Sequence, residues 1–136
     1  MLTKYFLLIS NQNERQWPYF LKETLRDLGE LAVLPEEEAK QDVARNNYDL
    51  IIIDAGAVRE AVSLIVSLRA KRTDSRILVV TASPTWQAAR AVLKAGAIDY
   101  IGKLLDKKEL HAKIAAVLEL PLPCFNPLKP HQGGGI

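Results

Sequence analysis

The chain has one cysteine, Cys124, and only two histidines among its 136 residues. A single cysteine excludes an internal disulfide and is consistent with a reducing compartment. No apolar run approaches the roughly 20 residues that a membrane-spanning helix needs. The apolar start of the chain is also too short for a secretory signal. We therefore expect a soluble, cytoplasmic protein with no membrane partner.

The chain also has no large excess of positive or of negative residues. The formal net charge is +2, and the Lys and Arg residues are scattered along the chain, which gives no support to a nucleic-acid partner. The segment Ser10 to Arg15 contains no glycine and matches neither G-x-x-x-x-G-K-[ST] nor G-x-G-x-x-G. A flavodoxin-like protein that binds a flavin, a nucleotide or another small molecule is therefore the less favoured alternative. Hydrolase chemistry is poorly supported, because His111 is predicted on the last helix and His131 in the tail.

Short apolar runs alternate with amphipathic segments throughout residues 1–120. This alternation is typical of an α/β fold, in which helices cover both faces of a parallel sheet. The predicted strands are residues 5–9, 31–34, 50–53, 77–80 and 99–101. Each is followed by a predicted helix, and 49% apolar residues suffice for a core.

Residues with special backbone preferences predict where several helices begin and end. Gly29 and Gly96 are placed to end the first and fourth helices. Ser83 is predicted to cap the fourth helix, with Pro84 in its first position. A capping box that starts at Asp106 predicts the beginning of the fifth helix.

Residues 121–136 differ in composition from the predicted domain, residues 1–120. They hold four of the seven prolines and three consecutive glycines. Such a segment cannot bury enough apolar area to offset the entropy of ordering it. We expect an irregular tail, and a docking peptide for a partner is the alternative.

Three polar residues end predicted strands or directly follow them. Asp54 ends the run Leu50 to Ile53, Thr81 follows the fourth strand, and Lys103 comes just after the fifth. In an open α/β sheet, ligands bind outside the carboxyl ends of the strands. The sequence therefore predicts a site in which a carboxylate, a hydroxyl and an amine converge.

The segments that carry these residues resemble the receiver domain of two-component response regulators. The resemblance lies in residues 48–54, 77–82 and 95–103 and extends over nearly everything before Pro121. It implies a doubly wound, flavodoxin-like sheet of five parallel strands in the order 2-1-3-4-5, with five helices. It also implies that Asp54 is the phosphoacceptor, Thr81 the switch hydroxyl, and Lys103 the partner of both. Tyr100 would be the aromatic residue whose rotamer follows the switch.

The resemblance also implies partners. A sensor histidine kinase or a phosphotransfer protein would supply the phosphoryl group. The chain would be a stand-alone signalling module and not an enzyme, and its output would be contact with a downstream protein.

The resemblance implies that the responsive surface combines the fourth helix, the fifth strand and the fifth helix, through which receivers also form homodimers. Trp86 lies on this surface in the first turn of the fourth helix, either as ordinary surface packing or as an interface anchor, where Trp is enriched. Trp17 is expected to pack at the start of the first helix.

The sequence departs from receivers in its metal-binding residues. Ser10 and Asn11 stand where receivers have two adjacent acids that hold Mg²⁺, and Glu14, the nearest acid, falls elsewhere in the loop. Asp54 and Lys103 alone sum to zero charge, so Mg²⁺ would bind only weakly, through Asp54, Asn11, Ser10 and water. Two mechanisms stay open. Asp54 is phosphorylated, or it forms a permanent ion pair with Lys103 in a phosphorylation-independent adaptor.

Overall fold

Five strands form one parallel sheet in the computed structural model, which describes residues 3–11, 13–71 and 75–121. Their order across the sheet is β2-β1-β3-β4-β5, and every pairing is parallel. The predicted fold class and strand order are thereby confirmed. The strands are β1 (Lys4–Ile9), β2 (Gly29–Leu34), β3 (Leu50–Asp54), β4 (Ile77–Thr81) and β5 (Asp99–Gly102).

Five α-helices cover the two faces of this sheet in the described ranges. They are α1 (Gln16–Thr24), α2 (Glu36–Val43), α3 (Ala61–Lys71), α4 (Trp86–Ala95) and α5 (Lys107–Glu119). Alternate residues of β1 point to opposite faces. Phe6 and Leu8 pack with α1 and α5, whereas Leu7 and Ile9 pack with α2, α3 and α4. The core therefore has two layers, one on each side of the sheet.

In the part of the chain that the structure describes, no helix is both long and apolar enough to cross a lipid bilayer. The predicted tail lies outside the described residues, apart from Pro121, and so do Cys124 and His131.

The fourth helix begins later than predicted. Thr85, not Ser83, is its cap: the Thr85 backbone is extended, and its side-chain oxygen accepts a hydrogen bond from the Ala88 amide at 3.1 Å. Ser83 instead donates its backbone N–H to Thr81 Oγ1, so it belongs to the turn that leaves β4. Pro84 precedes the helix and does not occupy its first position.

The two glycines predicted to end helices have different roles. Gly96 follows α4 with a φ of 123°, a left-handed conformation that favours glycine, so this prediction is confirmed. Gly29 does not end α1, which stops at Thr24; it is the first residue of β2. A Cβ at Gly29 would lie 2.3 Å from the carbonyl oxygen of Lys4, its neighbour on β1. Close pairing of two strands therefore requires the glycine there.

Candidate functional site

The strand register brings the three predicted site residues to the same edge of the sheet. Asp54, the last residue of β3, pairs with Val80, and Thr81, the last of β4, pairs with Gly102. Lys103 follows immediately, and its backbone N–H donates to the Thr81 carbonyl at 2.8 Å. The carboxyl ends of β3, β4 and β5 thus form the edge where ligands bind in open α/β sheets.

Asp54 and Lys103 form a direct ion pair at this edge. The ammonium Nζ of Lys103 lies 2.7 Å from Asp54 Oδ2. The other carboxylate oxygen, Oδ1, accepts the backbone N–H of Gly56 at 3.1 Å, because the chain turns into a 3-10 helix directly after β3. Asp54 is 2% exposed, whereas the Lys103 side chain is 19% exposed. The carboxylate is therefore buried and held, and its cationic partner reaches it from the solvent side.

The ring of Trp17 also contacts the Lys103 ammonium. Lys103 Nζ is 5.1 Å from the centroid of the Trp17 ring, within the range of a cation–π interaction. Trp17 packs at the start of α1, as expected, and its backbone N–H donates to Glu14 Oε2 at 3.1 Å. Sequence reasoning did not foresee its contact with Lys103.

A cleft of about 290 Å³ opens beside the ion pair. Its walls are formed by Asn11, Asn13, Glu14, Asp54, Gly56, Ala57 and Lys103. Asn11 thus lies beside the ion pair. Ser10 does not line the cleft; it is buried, and its hydroxyl oxygen has no hydrogen-bond partner among the described residues.

Glu14 is a site residue that sequence reasoning passed over, because its position does not match the family's acidic pair. The cleft contains its side chain with Asp54 and Lys103, so two carboxylates and one ammonium leave one negative charge. A count of Asp54 and Lys103 alone gives zero. The signal that could have identified Glu14 is that it is the only acid between β1 and α1.

The oxygens of the cleft are hard ligands of the type that Mg²⁺ prefers, but several of them already accept hydrogen bonds from the protein. Asp54 accepts from Gly56 and Lys103, Asn11 Oδ1 from the Asn13 amide, and Glu14 Oε2 from the Trp17 amide. No cluster of three or more His, Cys, Asp or Glu residues that could hold a metal occurs in the described ranges. This arrangement does not fit a tight Mg²⁺ site.

Thr81 and Tyr100 lie beyond the ion pair, toward α4. Thr81 Oγ1 accepts the backbone N–H of Ser83 at 3.1 Å, and the Tyr100 hydroxyl accepts that of Thr85 at 3.2 Å. Trp86 is 64% exposed, and the Arg90 guanidinium lies 5.5 Å from its ring. The structure therefore brings Asp54, Lys103 and Asn11 together, with Thr81 along the same edge and Tyr100 and Trp86 on the adjoining surface.

The chain was compared with known proteins. Residues 21–115 match the family described as "Response regulator receiver domain". The two-component response regulator PhoP of Pseudomonas aeruginosa is 38% identical over 88 residues, which are 64% of this chain and 39% of that protein. The transcriptional regulatory protein PhoP of Escherichia coli K12 is 33% identical over 103 residues, 74% of this chain and 46% of that protein. The chain thus spans less than half the length of these curated relatives.

Solved structures share the fold. A response regulator from Thermotoga maritima superposes with a TM-score of 0.79 at 24% identity, over 88% of this chain and 100% of that one. HP1043, an orphan response regulator of H. pylori, gives a TM-score of 0.75 at 24% identity, over 85% of this chain and 97% of that one. The family match covers more than half of the sequence, and the strand order agrees with it. The chain belongs to the response regulator receiver domain family of two-component signalling.

Proposed function

We propose that this receiver accepts a phosphoryl group on Asp54 and signals through contact with another protein. The observation that carries the proposal is the buried Asp54 carboxylate with the Lys103 ammonium 2.7 Å from one of its oxygens. A carboxylate is an effective nucleophile toward a phosphoryl group, and an adjacent cation stabilises the charge of the transferred group. The donor would be the phosphohistidine of a sensor histidine kinase or of a phosphotransfer protein.

The transfer is a substitution at phosphorus. A carboxylate oxygen of Asp54 forms the new P–O bond while the P–N bond to the donor histidine breaks, and the histidine leaves with the bonding electron pair and takes up a proton. Lys103 donates to one oxygen of the arriving group. Thr81 Oγ1 is an acceptor toward Ser83, which leaves its hydroxyl hydrogen for another phosphoryl oxygen. Asp54 and Asn11, which line the cleft, remain the proposed ligands of a weakly bound Mg²⁺, whereas the buried Ser10 does not line it.

Phosphorylation can be tested with a small phosphodonor such as phosphoramidate, with and without Mg²⁺. We expect one phosphoryl group per chain in the wild type and none in Asp54→Asn, measured by intact mass and phosphate-affinity electrophoresis. Asp27→Asn is the matched control, because Asp27 is an exposed carboxylate on another face. Labelling of the Asp54→Asn variant at the wild-type level would refute Asp54 as the acceptor.

A second candidate function is a phosphorylation-independent adaptor. Ser10 and Asn11 in place of an acidic pair favour it, as does an ion pair in which Asp54 is already neutralised. In that case the wild type stays unlabelled at every Mg²⁺ concentration, and Asp54→Asn binds the downstream partner as tightly as the wild type does. Robust, Mg²⁺-dependent labelling of Asp54 would exclude it.

The proposed output surface is the region around α4 and β5, with Trp86, Arg90 and Tyr100 as its members. An exposed Trp beside an Arg is typical of an interface anchor, since both residues are enriched at binding hot spots. The downstream protein, or a second copy of this chain, would bind there in the cytoplasm, and the domain would have no enzymatic output of its own. Trp86→Ala should weaken target binding or dimerisation, measured by light scattering and titration calorimetry, while Asp54 labelling stays at the wild-type rate.

A further inference from the structure

The ammonium of Lys103 contacts both a carboxylate and an aromatic face. It is 2.7 Å from Asp54 Oδ2 and 5.1 Å from the centroid of the Trp17 ring. An ammonium has three N–H donors, so it can serve both partners at once. Because only 19% of the Lys103 side chain is exposed, both contacts are formed in a partly dehydrated environment, where cation–π interactions are strongest.

Two kinds of contact hold Trp17 in place, one through its backbone and one through its ring. Its backbone N–H is bonded to Glu14, and its ring packs against the core layer that α1 and α5 share with the sheet. The indole N–H is shielded from solvent and has no hydrogen-bond partner among the described residues. A buried polar atom without a hydrogen-bond partner is unfavourable. A leucine or a phenylalanine could pack against the same core layer without introducing such an atom. The contact with Lys103 explains a tryptophan here, since Trp is the strongest cation–π partner among the aromatic residues.

A neutral ring also suits the charge balance of the cleft. The carboxylates of Asp54 and Glu14 already exceed the single Lys103 ammonium by one negative charge, and Asp54 is the carboxylate that contacts Lys103. A further carboxylate in place of the ring would also restrain the ammonium, but it would repel an anionic phosphoryl group. An aromatic face restrains the ammonium without adding negative charge.

We propose that Trp17 is a positioning residue that holds the Lys103 ammonium on Asp54 through the face of its indole ring. The effect of Trp17 on phosphoryl transfer rests on the proposed function, in which Asp54 is the acceptor. The contact between Trp17 and Lys103 does not depend on that function. Trp17 thus provides a restraint on Lys103 in a site that has no acidic pair.

The contact can be measured in the wild type by NMR. The ε-methylene protons of Lys103 should be shifted upfield by the ring current of Trp17, with cross-relaxation to the indole protons. These signals should return to ordinary lysine positions in Trp17→Leu and stay in place in Tyr19→Leu, which removes an exposed ring from the same helix instead. Ordinary lysine shifts and no cross-relaxation in the wild type would overturn the proposal, even where Trp17→Leu fails to fold.

Chemical labelling gives a second readout that does not depend on phosphorylation. To attack an acylating reagent, the Lys103 amine must leave both Asp54 and the ring. We expect labelling of Lys103, resolved by peptide mass spectrometry, to be about fivefold faster in Trp17→Leu than in the wild type, the equivalent of one cation–π contact. Trp17→Phe should give an intermediate rate, because it retains an aromatic face, and Tyr19→Leu should give the wild-type rate. Equal rates in Trp17→Leu and the wild type would contradict the proposal.

The functional consequence is tested separately with phosphoramidate. The rate of Asp54 labelling should fall in Trp17→Leu and recover in part in Trp17→Phe. If Asp54 is never labelled while the NMR and acylation results hold, the proposed function fails and the positioning role stands. If Asp54 is labelled equally fast in all three proteins and the Lys103 signals do not change, Asp54 remains the acceptor and the role of Trp17 is refuted.

Discussion

The two edges of the sheet each contain a buried charge, but they use it differently. At the amino edge, Arg69 is 3% exposed, and its guanidinium donates to the carbonyl oxygens of Ser75 and, at 2.6 Å, of Gly96. At the carboxyl edge, Asp54 is 2% exposed, and its cationic partner is the side chain of Lys103. Both hydrogen bonds described for Arg69 go to the backbone of connections, whereas Asp54 accepts one from the Gly56 backbone and one from a side chain that can turn.

Other polar groups at the amino edge also connect segments of backbone or structure. The Asp42 carboxylate accepts hydrogen bonds from the hydroxyl of Tyr48 and the side-chain amide of Asn46, and Asp49 accepts the backbone N–H of Tyr5. These groups hold the end of α2 and the start of β1 against the segment that leads into β3. The comparison indicates that charge at the amino edge connects segments of the fold, whereas charge at the carboxyl edge is paired with a side chain that lines an open cleft.

Arg69→Met should have the largest effect on stability. It leaves two carbonyl oxygens without their donor, and we expect a loss of about 3 kcal/mol in the free energy of unfolding, measured by urea denaturation. Arg90→Met is the matched control, since Arg90 is an exposed cation on α4 and its loss should change stability by about 0.5 kcal/mol or less. Equal losses in the two variants would remove the distinction between the edges.

Lys103→Met should have a smaller effect, about 1–2 kcal/mol, because it leaves the Asp54 carboxylate buried without its cation but removes no backbone partner. In the double variant Asp54→Asn/Lys103→Met, most of this loss should be recovered, since the uncompensated charge is gone. Urea denaturation of all four members of the cycle measures the coupling. A double variant less stable than either single one would show that the ion pair has a structural role like that of Arg69.

Tyr48→Phe should cost about 1 kcal/mol at neutral pH, because it removes a hydrogen bond to a carboxylate at a partly exposed site. Burial, and then the hydrogen bond to Asp42, raise the pKa of Tyr48 to about 12 from 10.0. Folding therefore favours the protonated phenol, so this stabilisation is fully present below pH 10 and is lost as the pH rises toward 12. The difference in unfolding free energy between wild type and variant should narrow across that interval. A constant difference would contradict the assignment.

Glu60→Gln should have the smallest effect of the four, because Glu60 is an exposed residue just before α3. Hydrogen bonds from the Ser63 side chain, and then from the Ser63 and Val62 amides, hold the pKa of Glu60 below its ordinary value. The ionised carboxylate therefore stabilises the fold fully at pH values above the ordinary pKa of a glutamate. This stabilisation is lost as the pH falls through the lower pKa that Glu60 has in the folded state. Acid titration of unfolding should show a weaker pH dependence in Glu60→Gln, with Ser63→Ala intermediate.

Much of the fold could be predicted because its signals are local. A parallel strand buried on both faces must be apolar throughout, so Leu50 to Ile53 and Ile77 to Val80 were recognisable. The capping box of Asp106 and Glu109 is confirmed, since both partners lie within one helical turn. The cap of α4 was predicted wrongly because Ser83 and Thr85 are equally suitable residues. The choice between them depends on contacts with Thr81 and Tyr100, which lie outside the segment.

The site could be predicted only where strand ends determine it. Asp54, Thr81 and Lys103 follow strands, so their common edge is a consequence of parallel pairing. Glu14 lies in the loop after β1, and Trp17 lies in the first turn of α1, directly after that loop. The path of this loop, which no periodicity encodes, brings Glu14 into the cleft and Trp17 against Lys103. Their contribution depends on contacts with residues far away in the sequence, which a reading of local patterns cannot supply.

The hydrogen bond from the Thr85 amide to the Tyr100 hydroxyl has a thermodynamic consequence. It joins the residue that caps α4 to a side chain of β5, one residue before the exposed ring of Trp86. A protein that bound Trp86 and displaced this cap would remove the hydrogen bond that stabilises the present rotamer of Tyr100. By reciprocity, an event that rotated Tyr100 away from Thr85 would alter the affinity for that protein by the same factor. This one backbone amide would thereby couple occupancy of the surface around Trp86 to the rotamer of Tyr100.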